Sequence, residues 1–245
     1  MSKIEIFSDK VWKPFSAFGL EGKFWNLNSE TVINSGATLV VLFICLIAAG
    51  LVIKRKNSMA AFLILSFVRS FKDLVSQSIK RFHYSRFFFI TALFVYIFFC
   101  NIISIIPWFE EPTTDLNTTL ALGIISFLYV QTVALKSKGL KGYCKEFLEP
   151  FFLLLPLNIV SELAKIISIS FRLYGNIFGG SVISKIFASF THGAILTESL
   201  ALFSGINLLI VGFFVIFEGA IQAFVFSTLT LTYLALATQI DEGPA

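Results

Sequence analysis

The chain has 245 residues, 56% of them hydrophobic and only 14% charged, with a mean hydropathy of +0.84 and a formal charge of +4. These values exclude an ordinary soluble domain and indicate an integral membrane protein. The Lys and Arg residues gather in loops, which reads as membrane topology rather than as a nucleic-acid-binding surface.

The length accommodates about five or six spans of roughly 20 residues each. Residues 1–30 are of mixed character, with Trp12, Trp25 and several charges, and are expected to form an extramembrane or interfacial lead to a membrane domain over 31–245. No basic region followed directly by an apolar run opens the chain, so insertion is expected to rely on the first true span. That span, 32–53, ends at Lys54, Arg55 and Lys56. The basic cluster marks a cytoplasmic or matrix end and sets the N-terminus outside. Over 59–82, Arg69, Lys72, Asp73, Gln77, Lys80 and Arg81 interrupt apolar residues, which predicts an amphipathic helix at the interface.

A second span, 87–106, leads to a loop with Trp108, Glu110, Glu111 and Asp115 and no Lys or Arg, as an outside loop should have. The three acids read equally as a funnel for cations and as solvated loop charge. A third span, 116–135, returns inward and meets Lys136, Lys138, Lys141 and Lys145. Two long apolar stretches follow, 147–190 and 200–238. With five crossings the C-terminus lies on the cytoplasmic side. The first stretch is too long for one perpendicular span, so it is broken, strongly tilted or partly interfacial.

The polar residues of that stretch fall at steps of three or four: Asn158, Ser161 and Glu162, Lys165, Ser168, Arg172, Asn176, then Gly179 and Gly180. This spacing places them on one helical face. The last stretch carries Glu218 and Gln222 one turn apart. Gly175 with Gly179, and Gly212 with Gly219, permit close approach of another helix. Polar stripes avoid lipid by facing protein or water.

Arg172 dominates this pattern. A charge near the bilayer centre costs at least ~2.5–3.5 kcal/mol, and its default reading is functional. A guanidinium does not release its proton, so acid–base chemistry at Arg172 is excluded. Its fixed charge can repel cations, attract a carboxylate and lower that carboxylate's pKa. Glu162 is ~15 Å away along the same helix, too far for a direct pair. Gln222 is able to hydrogen-bond the guanidinium without neutralising it, leaving Arg172 open to a carboxylate of another chain; the alternative is an internal staple between two helices. Glu218 is either a buried protonated group or a proton relay, and Lys165 either an electrostatic element or a snorkelling side chain. Cys45, Cys100 and Cys144 lack metal-ligand spacing, and His83 and His192 are isolated, so neither metal nor cofactor is expected.

The segment Phe171-Arg172-Leu173-Tyr174-Gly175-Asn176 resembles the Arg-Leu-Phe-Gly-Asn signature of the subunit a family of rotary F-type ATP synthases. Pro112 to Leu122, Leu157 to Lys165 and Gly219 to Phe226 resemble three further motifs of that family, in matching order over about residues 30–240. The resemblance implies an all-α polytopic fold of about five transmembrane helices and one interfacial helix, the last two forming a long tilted hairpin against a c-subunit ring. It also implies peripheral-stalk b subunits, a soluble ATPase head reached through the complex, and a lipid bilayer as surroundings. The role implied is a non-catalytic stator subunit carrying protons through two half-channels, with Arg172 separating them and Asn176 and Gln222 lining its surroundings. Many relatives carry Glu or His where this chain has Ser181 and Val215. Glu218, displaced by three residues and so by about 300° on an α-helix, is expected to share Val215's face and replace the missing group.

A stand-alone secondary transporter is the competing reading, but the arginine-bearing helix has no counterpart in the first half of the chain. A membrane scaffold would leave the aligned intramembrane charge unexplained. No Gly-x-x-x-x-Gly-Lys-Ser/Thr loop is present, so nucleotide chemistry would belong to partners. The outer loop suggests a bacterial inner membrane, with mitochondrial or plastid membranes as the alternative.

Overall fold

A computed structural model describes residues 11–12, 27–54, 58–79, 82–106, 109–148, 151–191 and 212–238. Arg55, Lys56, Lys80, Arg81, Trp108, His192 and the first part of the 200–238 stretch lie outside the described residues. Within the N-terminal lead, β1 (Val11–Trp12) pairs antiparallel with β2 (Leu27–Asn28). The remaining elements are helical: α1 (Ser29–Ile53), α2 (Met59–Ser78), α3 (Tyr84–Ile102), α4 (Leu116–Leu148), α5 (Leu155–Thr191) and α6 (Gly219–Ala237). A π-helical turn, Gly212–Glu218, leads directly into α6.

Five of these helical segments are long and apolar enough to cross a membrane, and the chain is a multi-pass membrane protein. The exception is α2, whose Phe71 and Val75 are buried while Arg69, Lys72 and Asp73 are exposed. That division makes Met59–Ser78 amphipathic, within the 59–82 stretch expected to form such a helix, and Ile79 is already extended. In α1 only Thr38 is buried, and its hydroxyl turns back onto the carbonyl of Asn34 at 2.8 Å. The apolar remainder of α1 suits contact with lipid or another apolar surface.

Two segments depart from the expected boundaries. The third span continues through its lysines to Leu148, interrupted by Gly139 at φ 72°. Lysine is a good helix former, so positive charge alone does not end a helix, whereas a left-handed glycine does redirect it. The fourth span begins at Leu155, with Pro156 in the first turn where its missing N–H is harmless. Its 37 residues make an unbroken helix about 55 Å long, well beyond a hydrocarbon thickness of about 30 Å, so α5 tilts or protrudes.

Helices α3, α4, α5 and α6 form the packed body. One core joins Phe71 and Val75 of α2 to Ile90, Val130, Leu231 and Leu234. A second joins Leu93 and Ile97 of α3 to Leu122, Ile169, Leu173, Ile177, Ala223 and Phe226. Two glycines set how closely the helices approach. A Cβ at Gly123 would stand 2.1 Å from Ser170 Oγ, and one at Gly219 would stand 2.9 Å from Asn101 Cβ. Among the described residues, Gly219 is the one of the glycines expected to permit close packing that does so; a Cβ at Gly175, Gly179 or Gly212 would meet no described atom within 4 Å.

Candidate functional site

Helix α5 divides its faces around Arg172. Ile169, Leu173 and Ile177 recur at helical spacing and are buried against α3, α4 and α6. Phe171, Arg172 and Gly175 lie on the exposed side. Among the described residues no hydrogen bond or ion pair engages Arg172, and none of them is stapled to α5 through it. Gln222 is buried on α6 at 8% exposure and makes no hydrogen bond to the guanidinium. With open space at Gly175 and Gly179, this side of α5 presents an uncompensated cation on a surface that another helix can approach closely.

One turn toward the acidic loop, about 6 Å along the axis, Asn176 borders a cavity of ≈ 210 Å³. Ser181 and Lys185 line it from α5, and Val215 lines it from the π turn. The loop side supplies Ser104, Glu110 and Glu111. Glu110 Oε1 accepts a hydrogen bond from Lys185 Nζ at 3.1 Å, in an ion pair whose side chains are 60% and 57% exposed respectively. Such a pair contributes little to stability. Glu111 is less accessible and accepts a 2.6 Å hydrogen bond from Ser104 Oγ. Burial pushes its carboxyl above the usual carboxylate range and the neighbouring Glu110 adds to this, while the Ser104 hydroxyl and Lys185 oppose it.

Asp115, grouped with those two acids by sequence, has a different place. Its Oδ1 accepts the Asn117 backbone N–H at 2.9 Å, and its carbonyl receives the N–H groups of Thr118 and Thr119. It therefore caps α4. Its Oδ2 accepts the Thr31 hydroxyl at 3.1 Å, tying α1 to the loop, and it does not line the cavity.

The π turn alters the expectation for Glu218. An i→i+5 bonding pattern widens each turn, so three residues rotate through less than the 300° of an α-helix. Val215 lines the cavity together with Ser181, but Glu218 does not. Glu218 is half-buried at the junction with α6 and makes no hydrogen bond or ion pair among the described residues. The junction itself is held by Asn101, which is 1% exposed. Its Nδ2 donates to the Gly219 carbonyl at 2.9 Å, and its Oδ1 accepts from Thr113 Oγ1 at 2.8 Å.

Toward the other end of α5, Glu162 accepts a hydrogen bond from Gln131 Nε2 at 3.1 Å and pairs with Lys165. Gln131 Oε1 in turn accepts from the Tyr143 hydroxyl at 2.9 Å. Lys165 Nζ lies 5.6 Å from the centre of the Tyr233 ring. A smaller cavity of ≈ 30 Å³ borders Ser126, Glu162, Lys165 and Tyr233. The polar residues of the α5 stripe therefore serve different neighbours: Glu162 and Lys165 face α4 and α6, Arg172 faces outward, and Asn176 and Ser181 face the larger cavity.

Asn101 and Gln131 escaped the sequence reading, although each is a polar side chain inside an apolar span and so carries the same signal as Gln222. Lys185, a charge inside the 147–190 stretch, and Ser104, inside 87–106, carried that signal too, but only the packing of α5 against the loop shows their partners. Among the described residues no group of three or more His, Cys, Asp and Glu is placed to hold a metal ion.

A family model described as ATP synthase A chain matches residues 32–235. The chain is 39% identical over 158 residues to ATP synthase subunit a of Campylobacter jejuni strain RM1221, covering 63% of this chain and 65% of that protein. It is 36% identical over 146 residues to ATP synthase subunit a of Moorella thermoacetica, covering 60% and 62%. A protein of Acaryochloris marina named ATP synthase subunit a 2 is 32% identical over 154 residues, covering 63% and 61%. The chain thus spans somewhat under two thirds of the length of these relatives.

Proposed function

Because the chain belongs to the ATP synthase A chain family, we propose that it is the non-catalytic, ion-translocating stator subunit of an ATP synthase membrane sector. In this reading it offers two half-channels that carry protons to and from a rotating c-subunit ring. The observation that carries the proposal is the exposure of Arg172 on α5, without a partner among the described residues and beside Gly175. A cation left open on an apolar helix calls for an anion from another chain, and a carboxylate on each passing ring subunit meets that need.

The chemistry follows from charge. A ring carboxylate reaching Arg172 loses its proton, because the guanidinium stabilises the ionised form. The same permanent charge repels a proton moving straight across. The cavity bordered by Asn176 and Ser181 serves as the path on the acidic-loop side. Glu162, Lys165, Gln131 and Tyr143 line the opposite path. Glu218, one turn before Gln222, is the acceptor between the loop-side path and the ring. Each charge crossing 100 mV releases about 2.3 kcal/mol, so several protons must pass for each ATP.

Peripheral-stalk b subunits and the soluble ATPase head complete the assembly in this reading, in a bacterial inner membrane with the N-terminus outside and the C-terminus cytoplasmic. Affinity capture of the chain from gently solubilised membranes tests it. A c-ring and a soluble ATPase should accompany the chain in fixed proportion. Capture of the chain alone, with substrate transport in its own proteoliposomes, would instead establish a secondary transporter.

A further inference from the structure

Among the described residues, Glu110, Glu111 and Lys185 are the ionisable side chains on the cavity beside Asn176, and they are not equivalent. Glu110 and Lys185 are exposed and neutralise each other. Glu111 is drawn inward and held by a single hydroxyl, that of Ser104. No Asp, Glu, Lys or Arg of α3, α4 or α6 lines the cavity, so among the described residues the charges facing Glu111 are Glu110 from its own loop and Lys185 from α5. Along α5 the polar lining runs from Lys185 through Ser181 to Asn176, one turn from Arg172.

We propose that Glu111 is the proton acceptor at the mouth of the loop-side path. This rests on the stator reading. The Glu111 carboxylate takes a proton from hydronium at the outer surface, giving the carboxylic acid and water. It then returns that proton to water within the cavity, which carries it past Ser181 and Asn176 toward the ring carboxylate. The carboxylate is regenerated and no other reactant is consumed.

A carboxyl lifted above its ordinary range is suited to exchange protons nearer neutrality. The Ser104 hydroxyl favours the ionised form, so its removal raises the working pH of Glu111 further. Val215 borders the same cavity, and a carboxylate introduced there has access to the same path.

The test uses the whole ATP synthase complex in liposomes, driven by an imposed potential, with pH on the acidic-loop side varied between about pH 5 and pH 8 and the other side fixed. Glu111→Gln should slow synthesis at least about tenfold and abolish its dependence on loop-side pH. Glu111→Asp should retain a pH dependence, and Glu111→Gln combined with Val215→Glu should recover part of the rate. Ser104→Ala, which keeps the carboxyl, should move the midpoint of the profile to higher pH, and this holds as the decisive variant if Glu111→Gln fails to assemble. A wild-type rate and profile in Glu111→Gln, an unmoved profile in Ser104→Ala, or a requirement for added sodium would overturn the relay. Coupled synthesis surviving in Arg172→Ala would instead overturn the stator reading beneath it.

Discussion

Asn101 donates from its amide to the carbonyl of Gly219 across 2.9 Å, at the point where the π turn becomes α6. Gly219 opens α6, so its carbonyl takes the Asn101 amide as a second donor beside the i+4 N–H of the helix. The Thr113 hydroxyl completes the arrangement from the acidic loop. One buried amide thus joins α3, that loop and the start of α6. Asn101→Leu removes both bonds and leaves the buried Thr113 hydroxyl without its acceptor, which should cost about 1–3 kcal/mol. Gly219→Ala forces a Cβ into Asn101 and should cost about 1–3 kcal/mol. Thermal unfolding of the solubilised complex measures both, and unchanged midpoints would show that the junction is not held this way.

Glu111 gives the loop a pH-dependent stability of definite sign. Its folded-state pKa is raised, chiefly by burial, so the native protein binds more protons than the unfolded chain. The contribution is fully present below the ordinary Glu value of about 4.3 and is lost as pH rises through the folded value. Thermal midpoints should therefore fall with rising pH over that window, and Glu111→Gln should flatten the trend. A midpoint that rises with pH in the wild type and is flattened by Glu111→Gln would reverse the sign.

Orientation follows from charge. The acids at 110–115 should face outside and the lysines at 136–145 should face the cytoplasm. Single cysteines at 110 and 138 in a cysteine-free chain, treated with a membrane-impermeant thiol reagent, should label from opposite sides. Labelling of position 110 from the cytoplasmic side alone contradicts the assignment.

Glu218 stands apart from the cavity, and its proposed role as the acceptor nearer the ring is open to direct measurement. Glu218→Gln keeps the shape and hydrogen-bonding capacity of the side chain, so the complex should assemble normally while ion-driven synthesis falls severely. Glu218→Asp should keep part of the rate. Full synthesis by Glu218→Gln at every pH at which the wild type works would make Glu218 structural.

The membrane spans and Arg172 were legible because hydropathy and an intramembrane charge each have a direct physical cost that the sequence must display. Long-range partners were less so. The division of the α5 stripe among three environments depends on which neighbours pack where, and a single helical face drawn from spacing cannot show it. The π turn carries no marker in Gly212–Glu218, yet it separates Val215 from Glu218, which α-helical geometry places together. The lysines at 136–145 read as a loop although helix continues on both sides of Gly139, because topology constrains which side charge lies on and not its secondary structure.

The central claim is that Arg172 separates two proton paths at the surface facing the ring, and Arg172→Ala tests it most directly. The complex carrying Arg172→Ala should assemble with its c-ring and soluble head, fail to make ATP when a potential is imposed, and leak protons passively across the membrane sector. Coupled ATP synthesis at the wild-type rate in a fully assembled Arg172→Ala complex would contradict the account.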